Sequence, residues 1–104
     1  MDRIETLKQY LAASPEDPFL QHALALEWIK LGDDGQAKTL FRNILQKDPG
    51  YTGSYYHLAK LLERSGETQE AIAVYEQGMA ACRQAGENHN YNELQAAYED
   101  LTYS

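Results

Sequence analysis

Two stretches of this chain match each other at a fixed offset of 34 residues: Leu24 and Ala25 recur as Leu58 and Ala59, Gly32 as Gly66, and Ala37 as Ala71. Phe41 is answered in the same register by Tyr75, and Leu45 by Met79. Such a period means one supersecondary unit used twice, and a unit of that kind buries its apolar face only by stacking on a neighbour. The matched positions are those that a packed pair of helices constrains most.

Within the first unit, Asp17 can cap a helix whose first residue is Pro18, where a missing N–H costs nothing. Leu20, Leu24, Trp28 and Leu31 then fall on one face of a 3.6-residue period, and Gly32 ends the helix. Asp33 or Asp34 caps a second helix carrying Ala37, Leu40, Phe41, Ile44 and Leu45, which stops before Asp48, Pro49 and Gly50. The second unit repeats the layout, with Thr52 as cap and Tyr55, Leu58, Ala59 and Leu62 on the packing face. After Ser65 and Gly66 comes a stripe of Ala71, Val74, Tyr75, Gly78, Met79 and Cys82, with the helix running on to Ala85. Ala25, Ala59, Ala37, Ala71 and Gly78 are small enough for helix axes to approach to roughly 8–10 Å.

Two more helices flank the pair. Asp2 and Glu5 form a capping box ahead of Ile4, Leu7 and Leu11, and that segment ends at Ser14 and Pro15. Asn90 and Glu93 open a last helix with Tyr91, Leu94, Ala97, Tyr98 and Leu101. No segment alternates over the length of a strand. The expectation is an all-α fold of about six helices in one domain spanning residues 1–104. Its parts are a capping helix in 1–14, repeats in 18–51 and 52–85, and a second capping helix in 88–103.

Composition narrows the partners. A net charge of −7 on 104 residues repels nucleic acid and anionic membrane surfaces. The longest apolar run, Ala71 to Tyr75, is far shorter than the roughly 20 residues that span a bilayer. Met1 to Glu5 mixes charges of both signs, unlike a secretory signal, and Cys82 is the single cysteine, so a cytoplasmic protein without an internal disulfide is expected. After Gln84 the chain has Glu87, Glu93, Glu99 and Asp100 but no Lys or Arg, which makes its C-terminal end an acidic cap.

The Leu-Ala pair, the Gly eight residues after its Leu, the Ala five further on, the aromatic four later and the Asp48-Pro49 boundary resemble tetratricopeptide repeats. The resemblance covers residues 18–85. It departs from the family where Gln21 and Tyr55 replace the frequent early Trp and where Arg83 replaces the closing Pro. It implies antiparallel helical hairpins stacked as a short right-handed α-solenoid, with residues 88–103 as a cap or as the first helix of an incomplete third unit. It also implies a non-catalytic module that binds a peptide segment of a partner in the concave groove of the first helices of each unit. The alternative is a structural protein that buries this groove in self-association, for instance as a homodimer.

A second stripe on the first helix, Phe19, His22, Leu26, Ile29 and Lys30, is free of the hairpin face and is covered either by the N-terminal helix or by a ligand. Its counterpart comprises Gly53, Tyr56, His57, Lys60, Glu63 and Arg64, preceded by Tyr51. Aromatic rings flanked by a few cations suit peptide recognition. Some family members hold a partner's terminal carboxylate with Lys and Asn on this stripe. His22, Leu26, His57 and Lys60 do not reproduce that clamp. No cofactor is expected, and no catalytic or metal motif is present: His22, His57 and His89 lie far apart in sequence, and Cys82 falls on an apolar stripe as a buried hydrophobe.

Overall fold

The computed structural model describes residues 2–103. It consists of six helices: α1 (Arg3–Ala13), α2 (Pro18–Lys30), α3 (Asp34–Lys47), α4 (Gly53–Arg64), α5 (Thr68–Ala85) and α6 (Asn88–Tyr103). There is no strand among the described residues. The chain divides into two compact units, the first ending at Asp48 and the second beginning at Pro49.

In the first unit α2 packs against both α1 and α3. The predicted start signals act as caps: Asp2 accepts from the Glu5 amide at 2.9 Å, Asp17 from the amides of Phe19 (2.9 Å) and Leu20 (3.3 Å), and Asp33 from that of Gln36 (3.1 Å). Each satisfies N–H groups that the first helical turn leaves without a backbone partner. Gly32, at φ 82°, takes the left-handed conformation that lets the Asp33 amide reach back to the Trp28 carbonyl at 2.9 Å. Because α2 stops at Lys30, Leu31 leaves the helical face and stands 68% exposed, so the expected fourth apolar contact of that face is not made. The core contains Leu7, Leu24, Ala25, Ala37, Phe41 and Ile44.

In the second unit α5 packs against α4 and α6, and α6 also touches α4. Gly66, at φ 80°, repeats the turn of Gly32 at the same place in the period, with the Glu67 amide reaching the Leu62 carbonyl at 2.9 Å. Tyr55, Leu58, Ala59, Leu61, Leu62, Ala71, Val74, Tyr75, Cys82, Leu94 and Ala97 are buried. The Tyr75 hydroxyl donates to Glu63, and the Tyr55 hydroxyl donates to the Pro49 carbonyl at 2.5 Å, so both buried rings keep a partner for their polar end. Burial, and then the hydrogen bond to Glu63, pushes the Tyr75 phenol well above its ordinary range.

Two expected caps act differently. Thr52 makes no cap bond. Its hydroxyl instead donates to Glu87 and accepts from the Asn90 side chain at 3.2 Å, while Asn90 also donates to Glu87 at 3.2 Å. Residues chosen in sequence as separate helix starts therefore form one polar cluster joining the start of α4 to that of α6. The helix correspondingly begins at Asn88, two residues before Asn90. Among the described residues no helix is long and apolar enough to cross a membrane.

Candidate functional site

In the first unit, Pro18 and the Asp17 cap fix the first turn of α2, which places Phe19 at its outer edge. The ring is 68% exposed. Phe19, His22, Leu26 and Lys30, at i, i+3, i+7 and i+11, line a shallow hollow of about 450 Å³ together with Ala23, Glu27 and Arg3 of α1. Arg3 of α1 thus stands at the border of the second stripe of α2. The stripe is also less uniform than its spacing suggests: His22 turns its ring edge-on to Phe41 at 5.3 Å, and Ile29, half-buried, lies outside the hollow.

Glu27, only 17% exposed, sits between two cations, Lys30 at 3.0 Å and Arg3 at 3.6 Å. Arg3 and Lys30 are largely exposed, so these pairs contribute little to stability. Two cations around one carboxylate leave the rim with one excess positive charge, in a protein that is acidic overall. Beside it Lys8 lies 5.4 Å over the Trp28 ring. Arg3, Ala23 and Glu27 were not singled out from the sequence. Glu27 could have been found from its i, i+3 spacing to Lys30, whereas Arg3 belongs to a different helix and has no sequence signal.

In the second unit, the stripe on α4 brings Tyr56, His57 and Lys60 together. The Tyr56 and His57 rings meet edge-on at 5.8 Å, and the Lys60 ammonium lies 5.8 Å over the Tyr56 ring and 3.7 Å from Glu63. Tyr51 precedes the helix, half-buried, and Arg64 is exposed in its last turn. Partial burial holds the His57 imidazole below its ordinary value, opposed by the nearby Glu93 carboxylate.

The single cysteine is masked. Cys82 is buried in α5, where desolvation, and then the Glu87 charge, push its thiol up and disfavour the reactive thiolate. Among the described residues no group of three or more His, Cys, Asp or Glu is placed to hold a metal ion.

The hairpins, the small residues at their crossings and the 34-residue period define a helical repeat protein, and comparison with known proteins names the class. The tetratricopeptide repeat profile matches residues 29–98, and the chain belongs to that family. A TPR repeat-containing protein of Pseudomonas aeruginosa is 25% identical over 91 residues, covering 88% of this chain and 87% of its own. Another curated relative, 25% identical over 71 residues, is matched over only 18% of its length. The solution structure of a tetratricopeptide repeat domain protein from Salinibacter ruber is 42% identical, with a TM-score of 0.81 over 85% of this chain and 89% of that one. The TPR2B domain of yeast Sti1, solved as a complex with pHsp70, shares the fold at 16% identity, with a TM-score of 0.88 over 96% of this chain and 80% of that one.

Proposed function

We propose that this protein is a non-catalytic interaction module that takes a segment of a partner protein on the outer face of α2. The observation that carries this reading is the exposed Phe19 ring beside a hollow whose apolar wall is Ala23 and Leu26 and whose rim holds Arg3 and Lys30. A large aromatic exposed next to a concave, partly apolar surface is the usual arrangement of an interface anchor. The cationic rim selects for chemistry: the segment carries apolar side chains for Phe19 and Leu26 and an Asp, a Glu or a terminal carboxylate for Arg3 and Lys30.

Membership of a family whose domains generally bind proteins supports the coarse reading. On α4, Tyr56, His57 and Lys60 form a further aromatic and cationic patch suited to the same kind of ligand. A cytoplasmic setting suits a chain whose single thiol, Cys82, is buried.

The test is a titration of isotopically labelled protein with synthetic peptides that pair Leu or Phe with Asp or Glu, followed by amide chemical shifts. Perturbations should concentrate at Phe19, Ala23, Leu26 and Lys30 and vanish in Phe19→Ala. Binding whose perturbations avoid α2 altogether would reject the proposed face.

A further inference from the structure

A second hollow, of about 420 Å³, lies between α5 and α6 and is independent of the surface on α2. Its walls are Met79 and Ala80 on α5 and the rings of Tyr91, Tyr98 and Tyr103 on α6, with Tyr103 81% exposed. Helix α6 packs on both α5 and α4.

Charge selects what fits there. Glu76 and Glu99 stand in the walls, and among the described residues neither has a cation: Glu76 accepts only from the Tyr98 hydroxyl at 3.1 Å and Glu99 only from the Gln95 amide at 3.5 Å. Arg83, the one cation lining the hollow among the described residues, is already used, stacked 5.0 Å over the Tyr91 ring and donating to its hydroxyl at 2.7 Å. Helix α6 adds Glu93 and Asp100 and contains no Lys or Arg. Electron-rich ring faces beside unpaired carboxylates attract ammonium and guanidinium groups, since the quadrupole and the full charge act in the same direction.

We infer that the α5–α6 face binds a basic amphipathic helix of a partner protein, its apolar side on Met79, Ala80 and Tyr103 and its Lys or Arg side chains on Glu76 and Glu99. Helices pack at axial separations of about 8–10 Å, which a wall containing Ala80 permits. A second copy of this chain is the poorer occupant. A two-fold contact through this face would set its carboxylates against their own images, and like charges brought together at an interface are repulsive. Nucleic acid and anionic membranes are repelled for the same reason.

The experiment uses the whole chain and two synthetic peptides of about five helical turns with the same Leu face, one flanked by Lys and Arg and the other by Glu. The basic peptide should bind, shift the amides of Met79, Tyr98 and Tyr103, and weaken with salt. The acidic one should leave those three amides unshifted. E76Q/E99Q should weaken the basic peptide by about tenfold or more, the range seen when a close charge pair is removed. E5Q/E16Q removes equal charge from residues that do not line the hollow and should leave affinity within about twofold, because such charges act only through screened, long-range attraction. Unfolding midpoints within error of the wild type establish that both variants are folded. Equal shifts of those amides with both peptides, equal losses in the two double variants, or sedimentation showing self-association that Y103A and E76K abolish would each overturn the proposal. None of these outcomes depends on the acidic segment proposed for α2, whose perturbations would fall on Phe19 and Leu26.

Discussion

Gly78 lies so close to Tyr55 that a β-carbon built on the glycine would stand 2.7 Å from the Tyr55 β-carbon and 2.9 Å from Leu94 Cδ1. Helix propensity favours Ala over Gly by about 1 kcal/mol, so the glycine is kept for the crossing of α5 with α4 and α6 and not for the helix itself. Gly78→Ala should therefore destabilise the protein by about 1–3 kcal/mol, the usual cost of overpacking, in urea unfolding. Gly53, which has nothing within 4 Å of its β-position, is the control. Gly53→Ala should be neutral or stabilising by up to about 1 kcal/mol. A Gly78→Ala protein as stable as wild type would mean that the helices do not approach this closely.

The cluster of Thr52, Glu87 and Asn90 predicts a local effect. Glu87 accepts from both other side chains, so Glu87→Ala should cost about 1.5–3 kcal/mol, the range for hydrogen bonds to a charged group. The loss should appear first as faster amide hydrogen exchange in the opening turns of α6, with α2 and α3 unaffected. Uniform acceleration across the chain would contradict the assignment.

What could be read from the sequence was whatever a residue does for its own helix. Asp2, Asp17 and Asp33 cap by reaching two or three residues ahead, and Gly32 and Gly66 turn the chain where the periodic stripe ends, so each is visible within a few positions. Ala37 and Ala71 were marked as crossing points by their recurrence, and both are fully buried. Thr52 and Asn90 failed for the opposite reason. Thr52 bonds to Glu87, 35 positions on, and Asn90 bonds to Thr52, 38 positions back, as well as to nearby Glu87, and a side chain that can cap its own helix gives no sign that it bonds to another. The same holds for the candidate surfaces: the stripe on α2 was legible as a period, whereas its border at Arg3 and the α5–α6 hollow arise only from packing.

His57 links stability to pH. Partial burial lowers its folded-state value below the ordinary 6.5, so just below 6.5 the unfolded chain binds more protons than the folded one and stability rises with pH. The contribution is complete above 6.5 and is lost as pH falls from there through the lowered folded value. Between pH 7.5 and 5.5 the wild-type unfolding midpoint should drop, and His57→Gln should flatten that drop. Removing Glu93, whose charge favours the imidazolium, should steepen it. Identical slopes in wild type and His57→Gln would exclude a role for this imidazole.

Phe19 separates binding from folding. Its ring is 68% exposed, so Phe19→Ala should change stability by no more than about 0.5 kcal/mol, as surface substitutions do. Leu24, one turn inside the same helix, is 5% exposed, and Leu24→Ala should cost about 2–5 kcal/mol. For a peptide that binds the α2 face the ranking should favour the exposed ring, with Phe19→Ala losing about tenfold or more in affinity as truncation of an anchor does. Lys30→Glu should act through a different term. Reversing a rim charge beside Glu27 should slow association and reduce the salt dependence of binding to an acidic segment, while leaving the dissociation rate nearly unchanged. Surface plasmon resonance at two salt concentrations separates the two effects. A Lys30→Glu variant that accelerates dissociation as much as Phe19→Ala does would place the charge within the buried centre of the contact and not on its rim.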